Sequence, residues 1–201
     1  LNEERIKKGL KPVSSIWLWG QGKSVSLPSF QEKYGLTGSV ISAVDLIKGL
    51  GISAGLDSVD VPGATGYLDT NYAGKVTAAL NALKTQDFVY LHVEAPDEAS
   101  HKGSVDEKIQ AIEDFDTKIV KPVLDGLQQR GEPFRVLLLP DHPTPLSLKT
   151  HSSEAVPFIL YDSTKIPEKP RTHAYCELDA QATGVNVTQG WTLMDTFIKQ
   201  D

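Results

Sequence analysis

Cysteine is almost missing from this chain of 201 residues: Cys176 stands alone, so no internal disulfide can form. That fits a reducing compartment and a cytoplasmic location, and the thiol itself reads as a small packed apolar group. Long hydrophobic runs are missing too. No stretch reaches the roughly 18 to 20 apolar residues that cross a bilayer, and Leu1–Lys11 is charged rather than leader-like. Basic charge is in deficit, with 20 lysines and arginines against 26 aspartates and glutamates and a formal net charge of -6. Neither nucleic acid nor an anionic membrane is therefore an expected partner, and any phosphate must be gripped locally by a few groups. Internal repeats, low-complexity tracts and Gly/Ser linkers are absent, so residues 1–201 are expected to form a single domain. The first residue is not methionine, and the opening stretch LNEERIKKGLKP has helical character, as expected of a piece cut from something longer.

What is present is an alternation of apolar strand-like runs and helix-like segments. Ser15–Trp19 (SIWLW) reads as a buried strand closed by Gly20-Gln21-Gly22. Val40–Leu50 has helical spacing at Val40, Val44 and Ile47, Ser58–Val61 reads as a short strand, and Tyr72–Leu83 as an amphipathic helix. Phe88–Val93 (FVYLHV) is short, β-branched and aromatic, as strands are. Val105–Gln129 repeats Ile109, Ile112, Ile119, Val123 and Leu127 near helical spacing. Phe134–Leu139 is almost continuously apolar, as a strand covered on both faces would be; Pro157–Tyr161 is a further strand and Trp191–Ile198 a closing helix. The order predicts an α/β fold with a mostly parallel central sheet and helices on both faces. Such sheets bind ligands beyond the carboxyl ends of their strands.

Two strand ends carry the relevant chemistry. After Phe88–Val93 comes EAPDEASH, which sets Asp97 and His101 four residues apart; one helical turn puts both on one face, where they can share a cation. After Phe134–Leu139 comes PDHPTP, with Asp141 and His142 adjacent and His151 nine residues further on. Adjacent side chains diverge, so Asp141 and His142 suit two neighbouring ions better than one, and the flanking prolines stiffen their loop. Two divalent ions about 3.5 to 4 Å apart can stabilise both the attacking and the leaving oxygen at phosphorus. Mixed carboxylate and imidazole ligands suit manganese or zinc. Either pair alone is also compatible with a turn bearing a solvated imidazole or with a helix-start cap; their coincidence after two strands favours the cation. His92, inside the FVYLHV run, reads as a packed or hydrogen-bonded core residue, and His173 as a solvated loop residue. Gly63-Ala64-Thr65-Gly66 lacks the Lys-Ser/Thr ending of a phosphate loop and reads as a turn.

The runs HVEAPDEASHKG and LLPDHPTPLSLKTHSSEAVPFILY resemble the metal-binding half of archaeal-type cofactor-independent phosphoglycerate mutases, of the alkaline phosphatase superfamily. LPSFQEKYGLTGSVISAVDLIKGLG and VPGATGYLDTNYAGK are similar to the same family in the same order, so the resemblance spans about Leu1 to Tyr161. It implies that Asp97, His101 and His151 hold one ion while Asp141 and His142 hold the other. It also implies that an aspartate and a transiently phosphorylated serine nucleophile come from a preceding segment, with an inserted arginine-rich substrate domain between that segment and Leu1. No catalytic nucleophile is expected among these residues, and the isolated chain is expected not to turn over. Lys23, Lys33 and Thr65, read as lying on turns near the site, are candidate contacts to a phosphorylated small molecule; the plainer reading is exposed lysines and a turn threonine. Trp19, Ser100 and Pro143 depart from the family pattern, where arginine, glycine and serine are commoner. WLWGQGK and PDHPTP look closer to a bacterial branch proposed to act as homoserine kinases. Three functions follow as expectations: interconversion of 2- and 3-phosphoglycerate, phosphoryl transfer involving another small molecule such as homoserine, or a non-catalytic metal-binding module.

Overall fold

A computed structural model describes residues 1–18, 20–24, 26–165 and 174–199. Its elements in chain order are helices α1 (Asn2–Lys7) and α2 (Phe30–Tyr34), strand β1 (Gly38–Ile41), helix α3 (Asp45–Ser53), strand β2 (Asp57–Ser58), helix α4 (Tyr72–Ala82) and strand β3 (Phe88–Leu91). Helices α5 (Ala95–Lys102) and α6 (Val105–Phe115) follow, then α7 (Lys121–Arg130), strands β4 (Arg135–Leu138) and β5 (Ile159–Asp162), and helices α8 (Glu177–Ala182) and α9 (Leu193–Ile198).

β1 occupies the centre of a three-stranded sheet in the order β2-β1-β3, parallel throughout. All four of its residues are buried, because it has a strand on each side and helices packed against it. α3 lies so close over it that a Cβ on Gly51 would sit 2.4 Å from Val40 Cγ1, an approach only glycine permits. α4 packs on β1 and β3, and its Tyr72 and Val76 join Ile119, Leu91, Val93, Phe115 and Val123 in an apolar cluster. At the amino end of β3, Phe88 stacks on Phe30 of α2 with ring centroids 4.5 Å apart. No helix among the described residues is long and apolar enough to cross a membrane.

Several segments differ from the sequence reading. Val40 and Ile41 end a strand instead of opening a helix: a β-branched pair buried on both faces of a parallel sheet outweighs a coincidental helical spacing, and α3 starts only at Asp45. Ser15–Leu18 form no strand, and Ile16, Trp17 and Leu18 are more than four-fifths exposed. An apolar run becomes a strand only where a partner accepts its hydrogen bonds, and among the described residues none does; Trp19 lies outside them. The long helix over 105–130 is broken by a π-helical turn at Asp116–Val120, just before Pro122, whose missing N–H cannot continue the ladder. β4 and β5 pair antiparallel with each other, apart from the parallel sheet. Their connection carries no crossover helix of the kind that usually joins parallel strands.

The β4–β5 pair is clamped by Arg135, whose Nε donates to Asp162 Oδ2 at 3.0 Å and whose Nη1 donates to the carbonyl of Phe197. Asp162 also accepts from the hydroxyl and backbone N–H of Thr164. These bonds, Thr164 first and Arg135 after it, lower its pKa from 3.8 to about 2. A carboxylate with a depressed pKa stabilises the fold above its unfolded value, and that contribution is lost as pH falls through the folded one. The melting temperature should therefore drop between pH 4 and pH 2. The drop should be shallower in Thr164→Val, as thermal melts across that range would read; equal slopes would contradict the assignment.

Candidate metal centre

Helix α5 begins four residues after β3 ends, with Pro96 in its first turn and Gly103, at a left-handed φ of 73°, as its stop. Ala95, Ala99 and Ser100 bury its inner side. Their small size draws the helix close and leaves Asp97 and His101, one turn apart, on a more open face. The second contribution comes from the loop between β4 and β5, which supplies Asp141, His142, Thr144, Lys149 and His151. That loop is fastened to the neighbouring helix α6 by Lys108, whose Nζ donates to the carbonyl of Thr144 at 2.9 Å, and internally by the Ser152 N–H, which donates to the carbonyl of Pro143 at 3.1 Å.

Of the five expected ligand residues, Asp97, His101 and His151 come together, His142 stacks on His151, and Asp141 stands beside His142. His101 Nε2 is 3.1 Å from Asp97 Oδ2 and 3.2 Å from His151 Nε2, and His151 Nε2 is 3.5 Å from Asp97 Oδ1. The ring of His142 lies against that of His151, centroids 3.7 Å apart, and its Nε2 is 3.4 Å from Asp141 Oδ2. Asp97, His101 and His151 each bring a ligand atom within 4.8 Å of the others; Glu94, Asp97 and Glu98 form an overlapping acidic group.

The donor set fits a divalent cation. His101 Nδ1 is 2.9 Å from the carbonyl of Lys149, a group that only accepts, so the neutral ring carries its proton there and turns an Nε2 lone pair toward Asp97 and His151. Lys149 makes this possible by adopting a φ of 53°, rare outside glycine. A carboxylate and imidazole nitrogens whose lone pairs converge within 3.5 Å repel one another unless a cation sits among them. An imidazole held by a backbone carbonyl on its far nitrogen is the usual support for a metal ligand.

Around the cluster the charges are graded. Burial, then the carboxylates of Glu98 and Asp97, pushes Glu94 above the ordinary carboxylate pKa, against the opposing pull of Lys75. Glu94 Oε2 would lie 2.4 Å from a Cβ on Gly66, so the turn holding Thr65 closes directly on this carboxylate. Lys75 is 1% exposed and its ammonium donates to the carbonyl of His92 at 3.0 Å, pinning the exit of β3; burial lowers its pKa. His92 is half-buried and bonded through Nδ1 to Ser42 Oγ, with its pKa lowered by burial, in keeping with a core role.

Of the remaining sequence candidates, Thr65 stands on the turn that closes on Glu94, while the two lysines are placed differently. Lys23 is on an exposed loop. Lys33 is on a helix, not a turn, because Ser29 and Glu32 form a reciprocal capping box that starts α2. Its ammonium lies 3.6 Å from Asp195 and over the ring of Tyr34, on the helix that packs at the amino end of β3, whereas Asp97 follows the carboxyl end. Thr65 Oγ1 donates to Asp69 at 2.7 Å. His173 lies outside the described residues. Glu94, Thr144 and Lys149 were missed by sequence reasoning. Glu94 had a signal, as the first carboxylate past the strand; the other two act through a hydroxyl and a carbonyl, which carry no ligand pattern.

Comparison with known proteins gives the family. The sequence profile described as the Metalloenzyme superfamily matches residues 4–184. A 2,3-bisphosphoglycerate-independent phosphoglycerate mutase from Methanothrix thermoacetophila is 54% identical over 198 residues, covering 98% of this chain and 50% of the relative. One from Methanosarcina mazei is 50% identical over 199 residues, covering 99% of this chain and 50% of its own. The chain thus spans about half the length of the curated relatives it matches. Among solved structures, a Pyrococcus horikoshii protein superposes with a TM-score of 0.75 at 28% identity, covering 90% of this chain and 46% of that one. A cofactor-independent phosphoglycerate mutase from Thermoplasma acidophilum superposes at 0.62 and 22% identity over 98% of this chain and 46% of that one, which speaks to the alkaline phosphatase-like α/β fold alone. The chain belongs to the Metalloenzyme superfamily.

Proposed function

We propose that these residues are the metal-holding part of a cofactor-independent phosphoglycerate mutase, which shifts a phosphoryl group between the two hydroxyls of a glycerate by way of a phosphoserine. The observation that carries this reading is the convergence of Asp97, His101 and His151 on one side and Asp141 with His142 on the other, at the ends of two strands. The name borne by the relatives favours phosphoglycerate over homoserine as substrate. Mn2+ or Zn2+ is the proposed occupant because both accept mixed oxygen and nitrogen ligands, and bound ions would supply positive charge to the oxygens of the phosphoryl group. The role of the chain is to hold these ligands: the Lys149 carbonyl orients His101, and the Pro143-flanked loop carries Asp141 and His142. The nucleophilic serine is assigned to none of these 201 residues, and a phosphorylated small molecule and a cytoplasmic setting complete the proposal.

The test is an assay of the full-length protein, reconstituted with Mn2+ or Zn2+, on 2- and 3-phosphoglycerate and, separately, on homoserine with a phosphate donor. Interconversion of the two glycerates, lost on chelation, is expected. Phosphorylation of homoserine without mutase activity would overturn the substrate, and turnover untouched by chelation would overturn the metal role.

A further inference from the structure

One buried hydroxyl at the centre has no place in the ligand set. Thr144 is 6% exposed; its Oγ1 lies 2.5 Å from Asp97 Oδ1 and 3.3 Å from His142 Nδ1. A hydroxyl has one proton to give and lone pairs with which to receive. The ionised Asp97 can only accept, so the proton goes there, and toward His142 the same oxygen can only accept. Neutral His142 must then carry its proton on Nδ1, which leaves Nε2 with a lone pair facing Asp141 Oδ2 at 3.4 Å.

We propose that Thr144 is a positioning residue: through its single hydroxyl it fixes the Nδ1–H tautomer of His142 and ties that histidine to Asp97, so that both groups of ligands are oriented by one side chain. The consequence for metal binding rests on the proposed function above; the tautomer itself follows from the hydrogen bonds alone. Thr144 can serve in this way because it is fixed in turn. Lys108 holds its carbonyl, and the Ser152 N–H closes the loop on Pro143. His101 reaches the same tautomer by another route, the carbonyl of Lys149, so the two imidazoles present like nitrogens, one from helix α5 and one from the β4–β5 loop.

The test uses the 201-residue chain as wild type, Thr144→Ser, Thr144→Val and Thr144→Ala. Long-range 15N–1H correlation of the metal-free imidazoles, recorded well above the ordinary histidine pKa of about 6.5, reads the tautomer. Calorimetric titration with Mn2+ and Zn2+ reads affinity. Wild type and Thr144→Ser should show His142 protonated at Nδ1. Thr144→Val and Thr144→Ala should shift it toward Nε2–H and weaken binding by about 10- to 100-fold, the range typical of lost outer-shell partners. Two variants without the hydroxyl, of different size, keep the test decisive should one of them misfold. An unchanged His142 signature in both, or a loss in Thr144→Ser equal to that in Thr144→Val, would overturn the proposal. A tautomer shift in a wild-type background that binds neither ion would sustain the hydrogen-bond assignment and sink the metal reading instead.

Discussion

Replacing Asp97 by asparagine should weaken Mn2+ and Zn2+ binding by more than about a hundredfold, beyond the range seen when only an outer-shell partner is lost. Asp97 is where the cluster's contacts cross: it faces His101 through one oxygen, and His151 and Thr144 through the other. Asparagine keeps the size and one acceptor oxygen, so Thr144 can still donate. It removes the negative charge and replaces one oxygen with an NH2 group, whose protons point where a cation would be. The loss should be read by calorimetric titration of the purified chain, with the far-UV spectrum unchanged. Wild-type affinity in Asp97→Asn would place the ion elsewhere, with Glu94 and Glu98 the next carboxylates to replace.

The second large effect is on stability. Ile41→Ala should cost about 2–5 kcal/mol, because Ile41 is fully buried on a strand paired on both edges and its deletion leaves a cavity beneath packed helices. Ile16→Ala should change stability by less than about 0.5 kcal/mol, since Ile16 is 81% exposed. Urea unfolding of the two variants compares them directly. A large cost for Ile16→Ala, or a small one for Ile41→Ala, would mean that the sheet has been centred on the wrong segment.

That pair of residues also shows where sequence reading succeeds and where it stops. Phe88–Leu91 and Arg135–Leu138 were legible as strands because short β-branched and aromatic runs bounded by polar residues have few other uses. Tyr72–Ala82 was legible by its spacing. Gly38–Ile41 was not, because Val40, Val44 and Ile47 happen to fall at helical intervals, and only the two flanking strands decide otherwise. Ser15–Leu18 failed in the opposite sense, since an apolar run says nothing about whether a partner is there to receive it. At the centre, the proposed ligands Asp97, His101, Asp141, His142 and His151 carry a sequence signal, because ligand chemistry uses few residue types at the ends of strands. Thr144 and Lys149 could not: a hydroxyl choosing a tautomer, or a backbone carbonyl presented by a left-handed φ, depends on distances no spacing encodes. Lys33 stands on a helix instead of a turn because a capping box starts α2, and its ammonium lies near Asp195.

The central claim is that one set of imidazoles and carboxylates, on the helix after one strand and the loop after another, holds the metal. Its most direct test is metal analysis of the reconstituted chain beside His101→Ala and His173→Ala. The account predicts Mn2+ or Zn2+ retained by the wild type and by His173→Ala after dialysis, and lost from His101→Ala. Equal retention in the two variants, or none in the wild type, would contradict it.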